Sequence, residues 1–265
     1  MKRGIFTVLA LLTASLLAAG GQGEKADDSL ESIKSRGYFT VGLDDAFPPM
    51  GFRDETGAIV GFDIDLAKEA ARRIGVEVRF KPVEWSGIIL SLNRGDIDVV
   101  WNGMTITEER QKQISFSKPY LENRQIVVVT EGSPIKTKAD LTGKVVGLQM
   151  GSSSENALAG DQTTASSLKE VRKYANNVEA LLDLAAGRTD AVVVDEIVGR
   201  YYIARKPGVY RVLAEDFGRE AYGVGIRTAD ASFRTELDRV LDEMKADGAA
   251  DRISIEWFGE PIVVK

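Results

Sequence analysis

The 265-residue sequence contains no cysteine and no histidine. Without cysteine there is no disulfide, no thiolate nucleophile and no sulfur ligand for a metal. Without histidine the usual zinc sites and the usual neutral-pH general base are missing too. Only carboxylate, lysine or serine–lysine chemistry is left for an enzyme. Positive charge is also short: 34 Lys and Arg against 40 Asp and Glu leave a net charge of −6. No basic or aromatic-interleaved patch stands out, so no nucleic-acid partner is expected. Beyond the N-terminus no apolar run approaches the length that crosses a membrane.

The one long apolar run is residues 5–19, preceded by Lys2 and Arg3 and followed by small residues and then a polar stretch. That order is the signature of a secretory signal, here residues 1–22. A core helix is the alternative, and Gly20, Gly21 and Gly23 argue against it. The exit Leu17-Ala18-Ala19-Gly20-Gly21 resembles a bacterial lipoprotein signal that lacks the cysteine to be lipidated. The mature chain is expected to be exported, periplasmic or extracellular, and soluble.

Two internal echoes organise the rest. Residues 92–100 (LNRGDIDVV) and 184–192 (LAAGRTDAV) share leucine, glycine, aspartate and valine at one offset; in each, a helix ends in glycine (Gly95, Gly187) and an aspartate (Asp98, Asp190) leads into a strand. Val41-Gly42-Leu43 and Val146-Gly147-Leu148 form the second echo, at a different offset. This is not a tandem repeat, but both matches in the same order favour two similar α/β lobes. Phe62, Leu66, Ala67, Ala70, Ala71 and Ile74 make an apolar helical stripe closed by Gly75. Ser86 and Asn177 are expected to cap two further helices. A last helix over 230–247 carries Phe233, Leu237, Val240, Leu241 and Met244 as ordinary core. Alternating strands and helices predict mainly parallel sheets with ligands at the strands' C-terminal ends. Extended stretches at 120–130 and 222–227 read as two crossings between lobes, or else as edge strands. The crossing reading gives a discontinuous first lobe (28–121 and 222–265) and a second lobe over 122–221.

Four loops and one strand end hold candidate ligand contacts. Residues 97–110 run from a strand into Asn102-Gly103, then Thr105, then Thr107 as the cap of a helix bearing Arg110. A backbone end, a hydroxyl and a bidentate cation suit the carboxylate and amine of a zwitterion, and no nucleophile–base pair accompanies them. Asp44 and Phe47, in DDAFPP, offer an acid and a ring for a distal amine, guanidinium or amide, although Asp before Pro-Pro is also a common turn residue. Trp85 is a ligand wall or a packing residue. Gln149-Met150-Gly151 and Ser152–Ser154 open a helix whose free N–H groups suit an anion, with capping by one serine as the plainer reading. Asp195 stands at a strand end, where it caps the next helix or accepts an ammonium; in the register of the first echo it falls opposite Gly103.

With these stretches the chain resembles a family 3 periplasmic or extracellular solute-binding protein, the polar amino-acid receptor of an ABC importer. The resemblance runs from Val41 to Phe258. It includes GFDIDLA (61–67), WSGII (85–89), GMTITEER (103–110), FSKPY (116–120), GSSSE (151–155), LAAGRTDA (184–191) with Asp195, and WFG (257–259). It implies an α/β, two-lobed type II periplasmic-binding-protein-like fold, mainly parallel sheets with two inter-lobe crossing strands, closing on an L-amino acid like a Venus flytrap. By position, Arg110 would clasp the α-carboxylate, aided by the N–H groups of Thr105 and Ser153. The Gly103 carbonyl, the Thr105 hydroxyl and Asp195 would take the α-ammonium. Phe47 and Trp85 would sandwich the side chain, with Asp44 at its distal end. Asp44 favours an arginine-, lysine- or ornithine-like ligand, with glutamine second. Gly103 departs from the serine or alanine common in the family. No catalytic residue, metal or cofactor is implied; the partner is an ABC transporter permease and the receptor is monomeric. The competing reading is a cyclohexadienyl-type periplasmic dehydratase on the same fold, with Asp44 or Glu155 as general acid. A detached sensor module is a third.

Overall fold

The computed structural model describes residues 27–264. The expected signal peptide, residues 1–22, lies outside the described residues. The strands are β1 (Tyr38–Leu43), β2 (Ala46–Phe47), β3 (Gly51–Arg53), β4 (Ile59–Val60), β5 (Glu77–Pro82), β6 (Val99–Val100), β7 (Ser115–Phe116) and β8 (Leu121–Thr130). They continue with β9 (Val145–Gln149), β10 (Glu170–Tyr174), β11 (Ala191–Asp195), β12 (Tyr210–Tyr222) and β13 (Gly225–Ile226). They sort into a sheet ordered β5–β1–β6–β13–β7, a second ordered β10–β9–β11–β8–β12, and a small antiparallel sheet β2–β3–β4.

The two large sheets repeat one plan, so the molecule is a two-lobed α/β structure. In each, three parallel strands are followed by an antiparallel one: β5–β1–β6 then β13, and β10–β9–β11 then β8. Both echoes map onto this plan. Gly42 of β1 lies beside Val100, and Gly147 of β9 beside Val192. The echoed aspartates do the same job: Asp98 accepts the Thr40 N–H at 2.7 Å and Asp190 accepts the Val145 N–H at 2.8 Å. In each lobe the aspartate's own N–H returns to that same residue's carbonyl at 2.8 Å. Each pair ties the start of the third parallel strand to the first, fixing the register that puts all the strand ends on one side.

β8 and β12 run antiparallel from Tyr210↔Thr130 to Tyr222↔Leu121. At that last end they enter the first lobe, where Tyr222 bridges to Thr105 and Leu121 to Val263. β12 thus reaches the first lobe at Tyr222, where the 222–227 stretch begins, and the strand itself extends upstream to Tyr210. Two register shifts, between Val212 and Asp216 and between Asp216 and Arg219, break the alternation that would have marked it.

The two apolar helical stripes hold to the residue. The helix Phe62–Ile74 buries Phe62, Leu66, Ala67, Ala70, Ala71 and Ile74 and ends at Gly75 in the left-handed region. The helix Ala231–Ala246 buries its five expected apolar residues. Two caps shift. Ser86 falls inside a 3-10 turn, Trp85–Gly87, and the following helix Ile88–Asn93 has no side-chain cap. Asn176, not Asn177, caps the helix Asn177–Ala185; Asn177 donates instead to Gln149 Oε1 at 3.0 Å. Two adjacent asparagines are equally good caps locally, and the buried Gln149 decides between them.

The start of the helix Phe62–Ile74 sets the cleft floor. Gly61, at φ +145°, lies so close to the chain that an added Cβ would sit 2.2 Å from the Met50 carbonyl oxygen. Two residues on, Asp63 is fully buried and accepts the Gly103 N–H at 2.7 Å and the Tyr120 hydroxyl at 2.9 Å. Burial pushes its carboxyl up to about 7, against the pull of those two donors.

Two outcomes follow. Gly61→Ala is expected to lower stability by at least about 2 kcal/mol, because backbone must move to admit the methyl; urea unfolding of the purified variant measures it. Asp63 holds its proton more tightly folded than unfolded. Its contribution is thus fully present below its ordinary value and lost as pH rises from about 4 to about 7. Asp63→Asn, which has no such proton, should gain on the parent by about 1.4 kcal/mol per pH unit across that window. Paired unfolding curves at pH 4 and pH 8 with an unchanged difference would refute this.

Candidate functional site

The ends of β1, β6, β9 and β11 converge where the lobes meet, and all eight candidate residues are buried there. Asp44, Phe47, Trp85, Gly103, Thr105 and Arg110 come from the first lobe. Ser153 and Asp195 come from the second. The lobes touch directly: the Thr105 and Ser153 hydroxyls are 3.0 Å apart, and Asn156 donates to Glu109 at 3.2 Å. Gly151, at φ +73°, approaches Ser86 so closely that an added Cβ would lie 3.1 Å from its Cα.

Arg110 is placed by its own local sequence. Thr107 accepts the Arg110 N–H at 3.2 Å and caps the short helix Glu108–Gln111, aiming the side chain inward. Nη1 donates to the Thr105 carbonyl at 2.9 Å and Nη2 to the Gly151 carbonyl at 3.2 Å, while the guanidinium carbon lies 5.7 Å from the Trp85 ring centroid. The side chain is only 6 % exposed and meets carbonyls, not a carboxylate, among the described residues. Burial pulls its pKa down, and the charges of Asp195 and Glu220 oppose that. Beside it, Ser153 opens the helix Ser153–Gly160, which Ser152 caps by accepting from the Glu155 N–H. The first-turn N–H groups of a helix have no intrahelical partner.

Asp195 occupies the N-cap position of the helix Glu196–Arg205 yet makes no side-chain cap. The plainer sequence reading fails there. Its Oδ1 instead accepts from Asn123 at 2.6 Å, Gln125 at 2.8 Å and the Tyr222 hydroxyl at 2.8 Å. All three donors stand on the crossing strands β8 and β12. Burial, then the neighbouring charge of Glu220, push the Asp195 carboxyl up to about 6 against those hydrogen bonds. Gly103, at φ +58°, packs between Phe47 and Tyr222, where an added Cβ would come within 2.8 Å of the Phe47 ring. The left-handed backbone and this contact explain the glycine at position 103.

At the other end, Phe47 and Trp85 lie parallel (2° between planes) with centroids 6.4 Å apart. Asp44 is buried beyond them. Its Oδ1 takes the Ala46 N–H at 2.9 Å and its Oδ2 takes Gln149 Nε2 at 2.7 Å. Burial raises its pKa, and the charges of Asp45 and Glu84 add to the effect. Glu155 is different: it pairs with Lys173 at 2.5 Å and accepts the Gly151 N–H, which hold its carboxyl below the usual range despite partial burial. A poised general acid it is not.

Sequence reasoning did not single out Asn123, Gln125, Glu220 and Tyr222, which surround Asp195. They sit in segments read only as connections, and alternation along the strands was the one available signal: 123 and 125 share a face, as do 220 and 222. A cavity of about 900 Å³, walled by Tyr201, Arg205, Trp257 and Phe258, reaches Asn123 but includes none of the eight residues. Smaller cavities of about 320 and 270 Å³ reach the cleft at Arg110 and Asp44.

Residues 39–260 match the family model of bacterial extracellular solute-binding proteins, family 3. The L-cystine-binding protein TcyJ of Escherichia coli (strain K12) is 32 % identical over 96 % of this chain and 96 % of its own. A crystal structure of an ABC uptake transporter substrate-binding protein from Streptococcus pneumoniae with bound histidine superposes with a TM-score of 0.87 at 33 % identity, covering 91 % of this chain and 99 % of that one. An ancestral arginine-binding protein bound to arginine gives a TM-score of 0.80 at 45 % identity over 84 % of this chain and 99 % of its own, and an ancestral arginine-binding protein bound to glutamine gives 0.79 at 46 % identity over 85 % and 99 %. With two like lobes, a cleft between them and a match along nearly all of the described residues, the chain belongs to the family 3 bacterial extracellular solute-binding proteins.

Proposed function

We propose that the protein is the substrate-binding component of an amino-acid ABC importer, exported and monomeric, which closes on one L-amino acid and presents the loaded form to its permease. One observation carries this reading: among the described residues, a buried guanidinium that meets no carboxylate stands in the same cleft as buried carboxylates that meet no cation. A free amino acid supplies both missing charges. Arg110 takes the α-carboxylate, helped by the N–H groups of Thr105 and Ser153. The Gly103 carbonyl, the Thr105 hydroxyl and Asp195 take the α-ammonium. Phe47 and Trp85 hold the stem; a planar group between them needs roughly 7 Å, at about 3.5 Å per face, which a small opening of the observed 6.4 Å provides.

Asp44 and the charge count favour a cationic side chain. Arg110 against the carboxylates of Asp44, Asp195 and Glu220 leaves the site with a net formal charge of about −2. An arginine-, lysine- or ornithine-like ligand brings +1, a glutamine-like one brings 0. Glutamine stays second because Gln149 already meets Asp44 with an amide, and a ligand amide makes the same contact. The family is one of binding proteins, and the ion-paired Glu155 gives no support to the dehydratase alternative.

In a thermal-shift panel of the twenty amino acids plus ornithine and citrulline, one ligand at a hundred times its Kd should add about 2.7 kcal/mol, roughly 5–10 °C in Tm. Protein refolded from denaturant removes any ligand carried from expression; a flat panel on it defeats the proposal. Arg110→Ala should abolish the shift. Asp44→Asn should weaken arginine about 10- to 100-fold while leaving glutamine within a few-fold. Equal losses for both would remove Asp44 from the side-chain site.

A further inference from the structure

The ammonium end of the cleft holds a second carboxylate. Glu220, two residues before the end of β12, is half-buried, and its Oε2 lies 3.0 Å from Thr105 Oγ1, 2.8 Å from Gln125 Nε2 and 3.2 Å from Asn123 Nδ2. Asp195 draws on the same two amides, at 2.8 and 2.6 Å. Gln125 Nε2 has two hydrogens and three acceptors around it, since Ser153 Oγ also lies at 3.1 Å. Gln125 Nε2 is thus one hydrogen short of its acceptors, and among the described residues no cation contacts either acid.

The shortage fixes the Thr105 hydroxyl. An ionised carboxylate accepts only, so the single Thr105 proton goes to Glu220. The lone pairs of Oγ1 then face Ser153 and the cleft. Without Glu220 the hydroxyl is free to turn its proton towards the cleft, where it would oppose an incoming ammonium.

We propose that Glu220 is a positioning residue for the ligand's α-ammonium: it takes the Thr105 hydroxyl proton, presents that oxygen as an acceptor, and adds a second negative charge beside Asp195. The inference rests on the amino-acid-binding reading above and adds to it a residue on a crossing strand.

Calorimetric titration with L-arginine from pH 5 to pH 8 tests it; should the panel rank another amino acid first, that amino acid replaces arginine. Asp195 is faced by Glu220 and Tyr222 from β12, by the neutral Asn123 and Gln125 from β8, and by the charge of Arg110 across the cleft. Its carboxylate must be ionised to hold an ammonium, so parental affinity should fall about ten-fold per pH unit below its raised pKa of about 6. Glu220→Gln removes the repulsion that helps raise that pKa. It should therefore cost about ten-fold or more in affinity at pH 8 and start its acid-side fall at lower pH than the parent. Glu220→Asp, which keeps the charge, should keep the parental onset while losing part of the affinity. Should the glutamine variant fail to fold by circular dichroism, Glu220→Ala reads out the same two quantities. Binding by the parent with neither affinity nor onset changed in the variant overturns the inference alone. No binding by the parent to any amino acid overturns the binding reading, and the inference with it.

Discussion

The cleft is governed by the cost of burying charge without a counter-charge. Arg110, Asp44 and Asp195 are each held by dipoles: carbonyls around the guanidinium, amides and a hydroxyl around the acids. Dipoles orient a charge but do not cancel it, and removing water around an uncancelled charge costs several kcal/mol. The raised carboxyls of Asp44 and Asp195 and the lowered Arg110 are the same penalty seen as proton affinity. In an open molecule water meets these groups; in a closed one only a ligand of complementary charge does. Under the proposed function, occupancy and closure would be coupled by this electrostatic complementarity.

The scaffold places the charges by repetition. Each sheet brings its parallel strand ends to the interface, and the Asp98 and Asp190 ties hold equivalent registers in the two lobes. What differs is which loop follows each end. The first lobe puts Asn102-Gly103, Thr105 and Arg110 after β6; the equivalent end of β11 carries Asp195. The crossing strands add Asn123, Gln125, Glu220 and Tyr222 from faces set by two-residue alternation, so the polar floor under Asp195 is made of the strands that join the lobes.

Much of this is legible in the chain where the signal is local. Thr107 as a cap, Gly75 as a helix end and the apolar stripe of residues 62–74 each follow from a few neighbouring residues, and the structure has all three. Legibility fails where neighbours in space decide. Asn177 loses the cap to Asn176 because a buried Gln149 claims it, and Ser86 loses its cap to a 3-10 turn. Residues 210–221 hide a strand because bulges interrupt its period.

By itself the sequence determined the classes: two echoing α/β halves, no thiol or imidazole chemistry, and a Gly–Thr–Arg segment suited to a zwitterion. Composition and short-range pattern suffice for these, because they depend on residue type and on spacings of a few positions. Only the tertiary structure decided that Asp195 bonds to the crossing strands instead of capping its helix, that Gln149 reaches Asp44, and that Glu220 joins Thr105. Those partners are 115 positions apart in the last case and 105 in the one before. A hydrogen bond is fixed by distance and direction in space, which folding sets and sequence separation does not.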